Sequence, residues 1–430
     1  METKEKSPVQ KLVGNLLFWV IIAIVLGIIL GQFVATGFVV PFVTFNVVFG
    51  KFLNFAVPLI ILGLIAPAIA DIGKGAGKWL LTTIVIAYGS TLFAGFGTYF
   101  IAKGIYPFLL ANESLTTVKE PGGAAAPLFS PDSLAFEPLF GVLVALVLAF
   151  VMGLGMVAND TAALKNVFMD FRKVIMWLIR VLIVPCLPIY IFGTFLDLTK
   201  SGEIASVISA MLKVIVFSIV LTLILLMIQY VLAGAIAGMN PLKAFGNMLR
   251  AYFTALGTSS SAATIPVTYS CMLKNKVSEE IAGFVAPLCA TIHLAGSTTK
   301  IVAFSLAIIT IQGGISAFGP YALFICLLGI IMIAAPGVPG GAIAAAQAVL
   351  VGVLAFDPNQ YGLMVALYIA IDSVGTATNV TGDGAIALVI NKLSKGSLGT
   401  ESGDVSGLDA NVDAVVAQTL DNKAGPTAQY

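Results

Sequence analysis

Six apolar stretches long enough to cross a bilayer, near 12–33, 44–70, 79–102, 138–158, 172–197 and 206–237, follow one another in the first 237 residues. A helix of about 20 apolar residues matches the hydrocarbon thickness, and only helices or closed barrels satisfy their own backbone polar groups there. The pattern predicts an all-α polytopic membrane protein that opens with six transmembrane helices. Composition agrees: 59% of the 430 residues are hydrophobic and 10% charged, against roughly 45–50% and 25% in a soluble domain. A net charge of +1 offers no surface for nucleic acid. Cys186, Cys271, Cys289 and Cys326 have no metal-type spacing and read as small buried hydrophobes. The first apolar run lacks a small-residue cleavage site and reads as a retained helix.

After residue 238 the rhythm breaks. Apolar runs are interrupted by Gly257-Thr-Ser-Ser-Ser-Ala-Ala-Thr-Ile-Pro266, Thr291-Ile-His-Leu-Ala-Gly-Ser-Thr298 and Ala335-Pro-Gly-Val-Pro-Gly-Gly341. Non-helical backbone at membrane depth is tolerated only where it is buried in protein or lines a watery cavity. The short halves 241–256 with 265–272, and 319–334 with 342–355, therefore predict two re-entrant hairpins. Spanning segments 280–313 and 360–393 follow them, which makes eight transmembrane helices in all. Two hairpin-plus-helix units in succession predict an inverted repeat with a binding site at the midplane. The chain divides into the six N-terminal helices (1–237), a core of hairpins and helices (238–393) and a polar, Gly/Ser-rich tail (394–430) read as disordered. Lys4, Lys6, Lys11, Lys74, Lys78, Lys165, Arg172, Lys173, Lys243, Lys274, Lys276, Lys392 and Lys395 fall on one side in this topology. The other side keeps Lys103, Lys119 and Lys200, so the termini are expected in the cytoplasm of a multi-pass protein of the cell (inner) membrane.

Ionisable residues inside such segments are functional candidates. Asp372 and Asp383 are eleven residues apart in Ala370-Ile-Asp-Ser-Val-Gly-Thr-Ala-Thr-Asn-Val-Thr-Gly-Asp-Gly384. On a helix they lie about 20° apart around the axis and roughly 16 Å apart along it. They share a face without touching, which suits two separate cation sites. An intramembrane aspartyl protease needs carboxylates close enough to share a proton, so only a pronounced break between 373 and 382 would allow that reading. A channel with hairpin tips lining a pore is a third reading. Serines 259 to 261 offer hydroxyls and freed amides to a substrate carboxylate, or form a polar interruption packed against neighbours. The Pro- and Gly-dense segment 336–341 frees carbonyls to face a cation, or is a plain turn.

Thr258-Ser-Ser-Ser-Ala-Ala-Thr-Ile-Pro266, Pro336-Gly-Val-Pro-Gly340 and Asn379-Val-Thr-Gly-Asp383 resemble the first-hairpin, second-hairpin and last-helix signatures of the dicarboxylate/amino acid:cation symporters, the glutamate transporter family. The resemblance covers about 150 residues by motif and the N-terminal half by its six spans. It implies an elevator-type transporter, not an enzyme, that forms a homotrimer and has its second hairpin as extracellular gate. It places the substrate on Ser260, Ser261, Pro339, Gly340, Asp372, Thr376 and Asn379, with Asp372 holding an α-amino group and Asn379 steadying the α-carboxylate. It places a coupled sodium ion on Asp383 with backbone at His293 and Asn379. An ammonium group would offset the burial of Asp372, which favours an amino acid over a plain dicarboxylate. The aspartates could instead pair with Arg180 or Lys213 as structural glue.

Three departures from the family pattern bear on substrate and coupling. Gly375 stands where carriers of acidic substrates keep an arginine, so the bidentate partner of a second carboxylate is missing. The expected substrate is a small neutral amino acid, with Thr376 offering a hydroxyl; an acidic amino acid or dicarboxylate, proton-coupled or otherwise, is the alternative if a basic residue elsewhere compensates. Ala295, in His293-Leu-Ala-Gly-Ser297, replaces a sodium-ligating carboxylate of a further site, although Ser90 and Thr91 match other ligands of it. Lys300 lies seven residues beyond His293 and thus near the same helix face. Lys300, or a protonated His293, is expected to supply in tethered form a charge that a bound ion supplies in relatives. The plainer readings are a hydrogen-bonded core histidine and a snorkelling lysine. Lys51 and Lys213 read as snorkelling anchors.

Overall fold

A computed structural model describes residues 16–72, 78–111, 113, 125–128, 138–159, 161–202, 204–314, 317–335 and 340–394. Every regular element among them is helical. The N-terminal half contributes α1 (Leu16–Phe33), α2 (Thr36–Ile72), α3 (Lys78–Leu109), α4 (Val142–Asn159), α5 (Ala162–Lys200, with a π-helical turn at Ile179–Ile183) and α6 (Ile204–Ala237). Leu81, Val85, Val147, Leu212 and Val216 stand outward, each more than half exposed. Apolar faces of that extent belong in lipid, as in a multi-pass membrane protein.

The C-terminal half is built from halved helices. The first unit is α7 (Pro241–Thr258) and α8 (Ser261–Lys274), then α9 (Glu279–Ile292) and α10 (Ala295–Ile311). The second is α11 (Phe318–Ala334) and α12 (Gly341–Leu354), then α13 (Pro358–Ala370) and α14 (Asp372–Leu393). Each unit is a packed pair of short helices followed by a broken span. Local sequence explains where these helices start. Asn240 accepts from the Leu242 and Lys243 amides ahead of Pro241, Ser278 accepts from the Ile281 amide ahead of Glu279 and Glu280, and Asp357 forms a capping box with Gln360 ahead of Pro358. Side-chain acceptors at these positions satisfy amides that have no partner in the first helical turn, and proline at the first position loses nothing.

The two hairpin breaks fall where the apolar runs predict them. The two spans, however, are each split: α9 ends at Ile292 and α10 begins at Ala295, and α13 meets α14 at a bend of 62°. By length and composition six helices among the described residues can cross a membrane, or seven if the bent pair is one span. The expectation of eight also takes in the 18-residue α4. Helices α1, α2, α4 and α5 pack mainly on one another, and α3 and α6 pack with the halved helices. Lys213 pairs with Glu113 at 2.7 Å, where Ser206 and Ser209 also reach the carboxylate. It is no partner of the core aspartates. The hydrogen bond from Lys213 foremost, then that from Ser209, lowers the pKa of Glu113. Pro339, Lys4, Lys6, Lys11, Lys74, Lys119 and the tail after Ser394 lie outside the described residues.

Candidate functional site

Each broken span brings a side chain to the backbone at the other's break. Helix α10 starts in the interior with no side-chain cap of its own. Its amides at Gly296 and Ser297 donate instead to Asn379 Oδ1 of α14, at 2.8 and 3.3 Å. Asn379 Nδ2 donates to Ser297 Oγ at 3.1 Å, and the Tyr368 hydroxyl reaches the same oxygen at 3.0 Å. In return, Lys300 Nζ of α10 donates to the carbonyls of Ile371 and Asp372 at 3.1 and 3.4 Å, at the junction of α13 and α14. An acceptor at a helix N-terminus is the favourable placement for the orphan amides of α10.

Each buried carboxylate of α14 has a basic partner from the first unit. Lys300 is fully buried, its Nζ 3.6 Å from Asp372 Oδ1 and 3.9 Å from the centre of the Tyr368 ring. The other oxygen, Asp372 Oδ2, accepts the amide of Gly340 at 2.9 Å, so the start of the second half of hairpin two lies on this aspartate. Eleven residues on, Asp383 Oδ1 meets His293 Nδ1 at 2.9 Å. A carboxylate only accepts, so Nδ1 carries the proton of that bond. The other ring nitrogen, Nε2, lies 3.0 Å from Ser90 Oγ, which accepts from Gln229 Nε2 at 2.8 Å. Asp383 Oδ2 and Gln229 Oε1 are buried with no hydrogen-bond partner among the described residues. An unpartnered carboxylate oxygen in the core is a hard-cation ligand by chemistry.

The facing residues run antiparallel. Lys300 packs on Gly375, and seven residues back His293 packs on Gly382, seven residues forward. A Cβ on Gly375 would lie 2.4 Å from Lys300 Nζ, and one on Gly382 would lie 2.8 Å from His293 Cε1. Glycine at 375 and 382 is thus what lets both basic side chains reach α14.

The family model of the sodium:dicarboxylate symporter family matches residues 16–393. This chain belongs to that family. It is 29% identical over 301 residues to excitatory amino acid transporter 1 of Ambystoma tigrinum, an alignment covering 68% of this chain and 53% of that protein. It is 28% identical over 293 residues to the rat protein of the same name (67% and 52%), and 24% identical over 302 residues to human excitatory amino acid transporter 2 (68% and 50%). The chain spans about half the length of these curated relatives.

Against the expectations for a symporter of this family, the structure distributes the site residues as follows. Gly340, Asp372 and Lys300 are brought together; Thr376 donates to the Asp372 carbonyl at 3.1 Å on the same helix. Ser260 caps α8 by accepting from Ala263, and Ser259 takes a left-handed backbone (φ 51°) at the hairpin tip. Ser261 is buried at the start of α8. Asn379 is occupied with the α10 amides. His293 and Lys300 both face α14, as their spacing predicts, but they lie on either side of the break at 293–294 and go to different carboxylates. His293 meets Asp383 through its imidazole, where the expected sodium site used its backbone. Ser90 joins this histidine, while Thr91 bonds back to Ala87 in its own helix at 2.9 Å. Because α14 is continuous from Asp372 to Leu393, the two aspartates stay about 16 Å apart along it, and the proton sharing that a protease needs is not met.

Three contributors escaped the sequence reading. Tyr368 stacks on Lys300, Gln229 supports Ser90, and Tyr230 donates to the Thr381 carbonyl at 2.6 Å. A glutamine inside an otherwise apolar span was the available signal for Gln229. The two tyrosines carry none, since most aromatic residues in such helices are packing.

Proposed function

We propose that the chain is a sodium-coupled symporter that imports a small neutral amino acid across the cell membrane by an elevator motion. In this reading Asp372 takes the substrate's ammonium, the tips bearing Ser260, Ser261, Pro339 and Gly340 enclose it, and Thr376 and Asn379 flank its carboxylate. Sodium is the coupled cargo and lies on Asp383 Oδ2 with backbone near His293 and Asn379. Residues 1–237 supply the scaffold helices of a homotrimer and, in α3 and α6, two helices of the transport domain; residues 238–393 form the moving core, and 394–430 a cytoplasmic tail on the same side as the N-terminus. The separate packing of α1, α2, α4 and α5 supports such a division.

The observation that carries the substrate reading is the bare backbone at Gly375. The volume above it is filled by Lys300, whose ammonium is directed at two carbonyls and Asp372. A second substrate carboxylate therefore meets no arginine there. One finding favours the acidic alternative, namely that a basic group does stand at that spot and would serve a distal carboxylate if it turned away from Asp372.

The test is a thermal-shift screen of the purified chain with neutral amino acids, aspartate, glutamate and succinate, each in sodium, potassium and acidic buffers. Stabilisation grows with ligand concentration over affinity, so a weak substrate registers at high dose. Neutral amino acids are expected to stabilise most, and only with sodium. Aspartate or succinate in first place overturns the neutral reading, and equal shifts in sodium and potassium overturn sodium coupling.

A further inference from the structure

Asp372 draws its partners from the chain itself. Its Oδ2 holds the Gly340 amide of the second hairpin, and its Oδ1 faces the Lys300 ammonium at 3.6 Å. Lys300 is wholly buried on the face of Tyr368, with its remaining donors on the Ile371 and Asp372 carbonyls. A buried carboxylate without a counter-charge is strongly unfavourable. So is moving one through a membrane. The Lys300 side chain makes the site neutral with the Gly340 amide on Asp372, and does so through a covalent tether that no gradient can deplete. A substrate ammonium and the Lys300 ammonium require the same carboxylate oxygen, so they compete for it.

We propose that Lys300 is a tethered counter-cation: it occupies Asp372 whenever no substrate is bound, the ammonium of an amino-acid substrate displaces it, and the unloaded carrier returns without carrying a cation back. Displacement keeps charge balanced, because the ammonium that arrives replaces the ammonium that leaves, and Lys300 is then free to face the substrate's own carboxylate. This rests on the reading of Asp372 as the site of the substrate ammonium. It adds the consequences that amine-bearing substrates are selected by competition and that turnover needs no counter-transported ion.

The first experiment is independent of any transported substrate. The full chain is melted in detergent in methylammonium chloride or choline chloride at equal ionic strength, as wild type, Lys300→Ala and Lys300→Ala/Asp372→Asn. Lys300→Ala is expected to melt lower than wild type and to recover in methylammonium but not in choline. Wild type and the double variant are expected to respond to neither salt, since one has its own cation and the other no charge to balance. Indifference of Lys300→Ala to methylammonium, or an equal response of the double variant, overturns the proposal.

The second experiment measures transport in proteoliposomes loaded with choline chloride, with radiolabelled L-alanine, L-serine and L-threonine offered singly. Wild type is expected to take up substrate without internal potassium. Lys300→Met is expected to lose net uptake about tenfold or more, the scale set by one uncompensated buried charge, while still exchanging labelled for internal unlabelled substrate. Exchange never requires the unloaded carrier to cross, so a purely structural defect would lower both rates together, and that result overturns the proposal. If wild type exchanges none of the three amino acids, the substrate reading falls, and the methylammonium melts alone decide the role of Lys300.

Discussion

Lys300 occupies the space over Gly375: a Cβ added to the glycine would lie 2.3 Å from Lys300 Cε, well inside van der Waals contact. Gly375→Ala is therefore expected to push the lysine off Asp372 and destabilise the protein by about 1–3 kcal/mol, the usual range for overpacking. In a Lys300→Ala background the same change has room, so the pair is expected to be less than additive. Thermal unfolding of the two single variants and the double variant checks this; strict additivity would show that the two positions do not meet.

His293 is the only hydrogen-bond partner found for the Asp383 carboxylate among the described residues, through Oδ1. His293→Phe leaves both oxygens unpaired in the core. Breaking a buried pair in this way costs about 3–5 kcal/mol, and adding Asp383→Asn is expected to return part of it by removing the charge. The readout is the melting temperature in choline buffer. A His293→Phe protein as stable as wild type would mean the carboxylate is solvated by other means.

Asn379 caps α10 from a distance of more than 80 residues along the chain, through the Gly296 and Ser297 amides. Asn379→Ala is expected to cost about 1–2 kcal/mol, as for loss of an N-cap, and to speed hydrogen exchange at those two amides ahead of the rest of α10. Asn379→Asp keeps the acceptor and should retain their protection. Unchanged exchange in Asn379→Ala would rule out the cross-cap.

Glu113 gives the fold a pH dependence outside the membrane core. Its hydrogen bond from Lys213, then that from Ser209, lowers its pKa in the folded state. A lowered carboxylate contributes stability above its ordinary value of about 4.3, and loses it as the pH falls through the folded-state value. Lys213 is about a third exposed (36%), so the contribution is set at about 0.5–1 kcal/mol. Glu113→Gln should flatten the melting temperature below about pH 4.3 without steepening it above. Parallel acid limbs for the two proteins would count against the pair.

The chain alone determined the membrane class, the positions of the hairpin breaks and some helix starts, because these depend on local chemistry: the length of an apolar run, Asn240 before Pro241, Asp357 before Pro358, glycine and serine where a helix cannot continue. The family was legible too, in three short motifs around Ser259, Gly340 and Asp383. The partners of the charged residues were not. A seven-residue spacing placed His293 and Lys300 on one face, and both do face α14, but nothing in that spacing said that each meets a different aspartate. Only the tertiary structure decided that Gly375 and Gly382 are the seats of those two side chains, that Asn379 and Lys300 each reach the backbone at the other span's break, and that Asp372 already has a cation. Burial is the reason: in a low-dielectric core a charge must find a partner, and which partner lies within reach depends on how distant segments pack and not on their spacing along the chain.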